Sequence, residues 1–136
     1  MIYKKQTSKS VAAAFEAMQA AVKAHGFGVL HTYDFKQTLA DKGFALANGC
    51  IVMEVCNPKQ ASEVLAMDMA LNMALPCRVS IYEQDGSTWI GMVPPTEQLS
   101  LISGDERIAE AARGVEAAMK EMIDEAVNTA KQSDVV

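Results

Sequence analysis

Two thiols, Cys56 and Cys77, are the groups of this chain whose setting best suits chemistry. Cys56 closes the run Ile51-Val52-Met53-Glu54-Val55-Cys56 and stands directly before Asn57-Pro58. Asn is a natural helix cap, and Pro suits a first helical turn because its missing N–H would be unpaired there anyway. A thiolate at Cys56 would then lie near the positive end of a helix dipole, which favours the ionised form. Cys77 follows Leu75-Pro76, where the same helix is expected to stop, and opens the next strand. Such a pair suits disulfide redox, nucleophilic attack or soft-metal ligation. Against these stands the commoner role of a free cysteine as a small buried hydrophobe. Side chains alternate along a strand, so Glu54 shares a face with Val52 and Cys56. Depending on register it points to solvent or into a pocket beside the thiol, where a carboxylate would be a functional candidate. Glu54, Cys56, Asn57, Pro58 and Cys77 are therefore the candidate ligand or thiol site, with Cys56 and Cys77 as the weak metal candidates.

Other reactive residue types fit less well. Met67-Asp68-Met69-Ala70-Leu71-Asn72-Met73 offers thioethers that, with a Cys77 thiolate, would suit copper(I). On one helix Met67 and Met69 point about 200° apart, and only Met69 and Met73 share a face. Packing in the core or against a second copy is the expected role. His25 at a helix end and His31 near Asp34 lack metal-ligand spacing, and the sequence has no Cys-x-x-Cys. Capping or surface roles are expected for both, and a buried role for Cys50. Trp89 alternates with Gly91, a pairing that favours an interface over cofactor stacking. Gly26-Phe27-Gly28 ends a helix rather than joining a strand to one, so it is no phosphate loop, and no Gly-x-Ser-x-Gly elbow occurs.

The elements that must position these residues follow from pattern. Ile2 to Lys9 reads as a polar edge strand, and Ser10 starts an alanine-rich helix with Val11, Phe15, Met18 and Val22 on one stripe. Gly26 ends it. Phe27 to Tyr33 reads as a strand, Phe35 to Lys42 as a short helix, and Phe44 to Cys56 as a strand. One helix is expected from Asn57 to about Leu75. Cys77 to Glu83 alternates as a half-buried strand, Gln84-Asp85-Gly86-Ser87 forms a hairpin turn, and Thr88 to Val93 returns. A helical turn near Glu97 to Leu101 precedes Ser103-Gly104-Asp105-Glu106, which has capping-box spacing. The last helix is expected from Asp105 to about Lys131. Ile108, Ala112, Val115, Met119, Met122 and Ala126 would face inward, and Glu116, Glu121, Asp124 and Glu125 would face solvent. This order predicts an α+β fold and a single domain over residues 1–136.

The segment from Glu54 to Tyr82 carries a signature. It comprises Glu54-Val55-Cys56-Asn57-Pro58, a helix with Ala61, Leu75-Pro76-Cys77-Arg78-Val79 and Tyr82-Glu83, with Gly26-Phe27-Gly28-Val29 and Asp34 upstream. Together these residues resemble the bacterial and archaeal family called domain of unknown function 302 (DUF302), over roughly residues 10–95. The resemblance implies a fold similar to a TATA-binding-protein half, a curved antiparallel sheet with helices packed on one face, and it implies a homodimer. It does not imply DNA binding, because fold does not carry function. The C-terminal helix, about 105–131, rests on its apolar stripe alone.

Composition narrows the function. Half of the 136 residues are hydrophobic, enough for one sizeable core. A net charge of -5, with Lys4, Lys5, Lys9, Lys23 and Lys36 scattered, does not suit nucleic acid. No apolar run approaches the roughly 20 residues that span a bilayer. Met1 to Lys5 does not read as a secretory signal, so no membrane is expected. Three widely spaced cysteines fit a reduced, cytoplasmic setting. The expected function is a homodimeric domain that binds a small molecule or a partner without catalysis. The alternative is a thiol-based redox or soft-metal protein using Cys56 and Cys77, and a third reading is a structural interaction module. No cofactor is assigned.

Overall fold

The computed structural model describes residues 1–128. The order is β1 (Tyr3–Thr7), α1 (Val11–Ala24), β2 (Gly28–Asp34), α2 (Phe35–Asp41), β3 (Cys50–Cys56) and α3 (Pro58–Met67). It continues with a 3₁₀ helix (Met69–Ala74), β4 (Cys77–Gln84), β5 (Ser87–Met92), α4 (Pro95–Ser100) and α5 (Glu106–Asn128). The sheet has five strands in the order β1-β5-β4-β3-β2, and every neighbouring pair is antiparallel. The fold is α+β, with helices packed on the sheet and a long C-terminal helix.

Local chemistry explains most elements. Ser10 Oγ accepts from the Ala13 N–H at 3.1 Å and caps α1. Asp85 and Gly86 have φ of 53° and 79°, the two positive values that a two-residue hairpin turn matched to strand twist requires. A Cβ on Gly91 would meet Lys4 Cβ at 2.8 Å and the Tyr3 carbonyl at 3.0 Å. The close approach that this glycine permits is therefore made by the chain's own β1. Lys4 Nζ lies 4.6 Å from the Trp89 ring centroid, a cation–π contact.

One face of the sheet meets α1 and α5. Met53, Val55, Val79, Ile81 and Ile90 pack there with Met18, Val22, Met119 and Met122 in the larger core. A smaller core gathers Val64, Leu71, Leu99, Ile108 and Ala112 from α3, the 3₁₀ helix, α4 and the start of α5. The apolar stripe of α5 is buried as its spacing predicts. Its acidic side is not wholly solvated. Tyr3 Oη donates to Asp124 Oδ1 at 2.6 Å, and Thr96 Oγ1 donates to Glu116 Oε1 at 2.6 Å. Burial, then Asp124, pushes the Tyr3 hydroxyl up to about 12. Burial pushes the Glu116 carboxyl up, but hydrogen bonds from Thr96 and the nearby Lys120 outweigh it and hold the group below its usual value.

Several expectations are corrected. The helix expected from Asn57 to Leu75 is interrupted: Asp68 is extended, with φ -155° and ψ 109°. Its Oδ1 accepts from the Ala70 N–H at 2.9 Å, so the side chain starts a new helix instead of continuing the old one. Met67, Met69 and Met73 are 42%, 67% and 75% exposed and do not fill the core. The strand expected from Phe44 begins only at Cys50, and Phe44 is exposed. The Ser103–Glu106 capping box does not form. Asp105 occupies the cap position, and its Oδ1 accepts from the Arg107 N–H at 2.8 Å. The helical turn expected near Glu97 starts at Pro95, which fits a first turn. The expected helical residues 129–131 lie outside the described residues.

Candidate functional site

A cavity of about 240 Å³ opens at the seam between the two cores. Val55 and Cys77 of the larger core form one wall, and Val64, Leu99 and Ala112 of the smaller core form another. Leu75 lines the cavity and packs against both clusters. Helix α3 presents Gln60, Ala61, Val64 and Leu65, which recur on one helical face.

Leu30 reaches the cavity through a bulge. In the β2–β3 pairing Val29 faces Val55 and His31 faces Glu54, which leaves Leu30 as the extra residue. A bulge re-aims a side chain, and Leu30 lines the cavity while 52% exposed.

Three of the five residues singled out from sequence line this cavity: Cys56, Asn57 and Cys77. Val55 is the register partner of Cys77, and Cys56 follows it as the last residue of β3. The two thiols thus belong to neighbouring strand ends, and both are free. Cys77 is only 8% exposed, and burial followed by the nearness of Cys56 pushes its thiol up to about 11. Burial also raises Cys56. A helix start was expected to favour thiolate at Cys56; apolar surroundings outweigh it. Asn57 Oδ1 accepts from the Gln60 N–H at 3.2 Å, which is the cap expected of it. Pro58 opens α3, is exposed and does not line the cavity.

Glu54 is not with the thiols. It faces Arg78 and His31 in register, and Tyr33 Oη donates to its Oε1 at 2.5 Å. Alternation puts it on the sheet face opposite Met53 and Val55. Cys56, the last residue of β3 and the partner of Gly28, lines the cavity, whereas Glu54 does not. His31 stacks against Tyr33, with centroids 6.3 Å apart. His25 caps α1 and its Nε2 lies 2.8 Å from Glu125 Oε1. Neither histidine lines the cavity. Cys50 is half-buried opposite Tyr82.

Sequence reasoning missed Gln60. Its Oε1 is buried with no hydrogen-bond partner. The available signal was a lone amide on a helical face otherwise built from Ala61, Val64 and Leu65. Among the described residues, no Lys, Arg, His, Asp or Glu lines the cavity, and no group of three or more His, Cys, Asp or Glu could hold a metal ion.

Comparison with known proteins agrees with this architecture. The family model described as Domain of unknown function DUF302 matches residues 3–126. No curated protein matches the chain. Among solved structures, the crystal structure of the uncharacterized conserved protein DUF302 from Bacillus stearothermophilus is 29% identical. It superposes with a TM-score of 0.87 over 92% of this chain and 97% of that one. The match extends well past the span of about 10–95 read from sequence and takes in nearly all of α5. With the sheet, both thiol-bearing strand ends and the long helix inside one matched span, this chain belongs to the DUF302 family.

Proposed function

We propose that this chain binds a small molecule in the cavity between its two cores and does not transform it. The observation that carries this reading is the cavity itself: about 240 Å³, mainly apolar, with Asn57, Gln60 and Asn72 among its lining residues. Sites for small molecules have this character, and an apolar cavity of roughly 150 Å³ already accepts benzene. The non-catalytic half is supported by the protonated state that burial imposes on both thiols. The other polar liners, Asn57, Gln60 and Asn72, are carboxamides, which do not transfer protons near neutral pH.

Native mass spectrometry of protein purified without denaturation tests the reading. The expected result is an adduct of small organic mass that is lost in an Ala61→Trp variant, whose indole fills the cavity. Bare protein in both samples, with no small organic compound shifting the wild-type melting temperature in a screen, would refute it. A homodimer belongs to the same proposal on the strength of family membership. Light scattering should then give twice the 14.6 kDa chain mass.

A second reading, thiol redox, is favoured by one observation: Cys56 and Cys77 line the same cavity at adjoining strand ends. It requires a reversible Cys56–Cys77 disulfide in glutathione buffers. A Cys56→Ser, Cys77→Ser protein with unchanged behaviour towards oxidants removes it.

A further inference from the structure

We infer that a second copy of this chain pairs with the free edge of β2, antiparallel about Thr32, and covers the exposed wall of the cavity; this rests on the chain being a homodimer. The sheet order leaves two edge strands, β1 and β2. An edge offers unpaired N–H and C=O groups to another strand unless charge, proline or a covering element blocks it. The two edges differ in this respect. β1 carries Lys4 and Lys5 side by side and is tied to α5: Tyr3 Oη donates to Asp124, and Thr7 Oγ1 donates to the Val127 carbonyl at 3.2 Å. β2 contains no Lys, Arg or Pro, and its one carboxylate, Asp34, stands at its end. Leu30, His31, Thr32, Tyr33 and Asp34 are all exposed. Side chains alternate along a strand, so a run exposed at every position is open on both faces.

The strand suits its own copy. His31 and Tyr33 face Glu54 and Val52 in register and share the sheet face away from Met53 and Val55. Directly opposed residues of an antiparallel pair lie on one face. A two-fold axis at Thr32 therefore sets His31 against Tyr33 of the second copy, twice. These rings already stack along one strand at 6.3 Å, and aromatic cross-strand pairs are favourable. The same operation at the middle of β1 would set Lys5 against itself, which is unfavourable.

The cavity ties this edge to the binding site. Leu30 is the bulged residue of β2, lines the cavity and is 52% exposed. A strand laid beside β2 covers that exposed half, so the wall is complete only in the pair. The bulge leaves His31 to Asp34 as the regular stretch. A ladder this short makes a small interface, so the dimer should dissociate on dilution.

Analytical ultracentrifugation of the full chain over a dilution series tests this. Wild-type protein should dimerise. Thr32→Lys places two cations opposite each other on the axis and should weaken self-association at least about tenfold. An equal mixture of Thr32→Lys and Thr32→Glu should recover the dimer. Thr32 is exposed, so both variants should melt near the wild-type temperature. By NMR, the Leu30 methyls should shift between dilute and concentrated wild-type protein. A dimer that Thr32→Lys leaves intact, or Leu30 methyls that ignore dilution, would overturn the β2 interface and leave the homodimer standing. Wild-type protein that is monomeric at every concentration would overturn both. The Leu30 experiment needs no variant and decides the interface even if Thr32→Lys folds poorly.

Discussion

The two hydrophobic cores are built from different materials. Among the described residues, the larger has fifteen buried ones drawn from a continuous sheet face and from the long helices α1 and α5. The smaller has five, drawn mainly from short pieces: ten residues of α3, six of the 3₁₀ helix, six of α4 and the first turns of α5. Long regular elements can interdigitate over many turns, whereas short ones meet at their ends and leave gaps. The cavity lies where the two packings meet. The lesson is that the cavity here is a by-product of joining a regular core to an irregular one.

Truncation gives the largest test of that contrast. Met119 is fully buried in the larger core, and Met119→Ala should cost about 2–5 kcal/mol in urea unfolding. Leu71 is equally buried in the smaller core. Leu71→Ala should fall at the low end of that range, because neighbours beside an existing gap can collapse into the space. Equal costs would break the comparison.

Alkaline pH probes the wall that the two cores share. The Cys77 thiol is raised from 9.0 to about 11, so the folded state retains a proton that the unfolded chain releases first. Stability from this group is whole below pH 9 and falls as pH rises towards 11, by about 3 kcal/mol. A Cys77→Ala protein should have a flatter profile in this window. Tyr3, raised to about 12, contributes equally to both proteins, so the difference curve isolates the thiol. Parallel profiles would show that Cys77 is not held protonated by its surroundings.

Adding atoms should sharpen the contrast further. Gly91→Ala drives a methyl into Lys4 Cβ and the Tyr3 carbonyl, and should cost about 1–3 kcal/mol. Ala61→Trp adds far more volume but directs it into the cavity, and should change stability by less than about 1 kcal/mol. Thermal unfolding of the two variants checks this; a larger loss for Ala61→Trp would mean that the cavity is not open to new atoms.

The sequence made the regular half legible. The stripe of α1, the Asp85-Gly86 turn, the stripe of α5 and the order of strands all depend on residues acting within their own element. The Cys-Asn-Pro and Leu-Pro-Cys pieces supply Cys56, Asn57, Leu75, Pro76 and Cys77 to the lining of the cavity. What stayed hidden depended on choices between elements. Asp68 was equally able to ride in a helix or to cap the next one; in the structure it caps, and Leu71 on the following 3₁₀ helix is buried. Leu30 became a bulge because of how β2 registers on β3. Glu54 shares β3 with Cys56, yet only Cys56 at the strand end lines the cavity, and alternation alone does not say how far along a strand a pocket reaches.

Leu75 touches both cores, so it is a mechanical link as well as part of a wall. Motions of the small cluster cannot be independent of the sheet while that side chain is held on both sides. Whatever fills the neighbouring space would slow amide exchange in β4 as well as in α3, so occupancy would be felt in both cores.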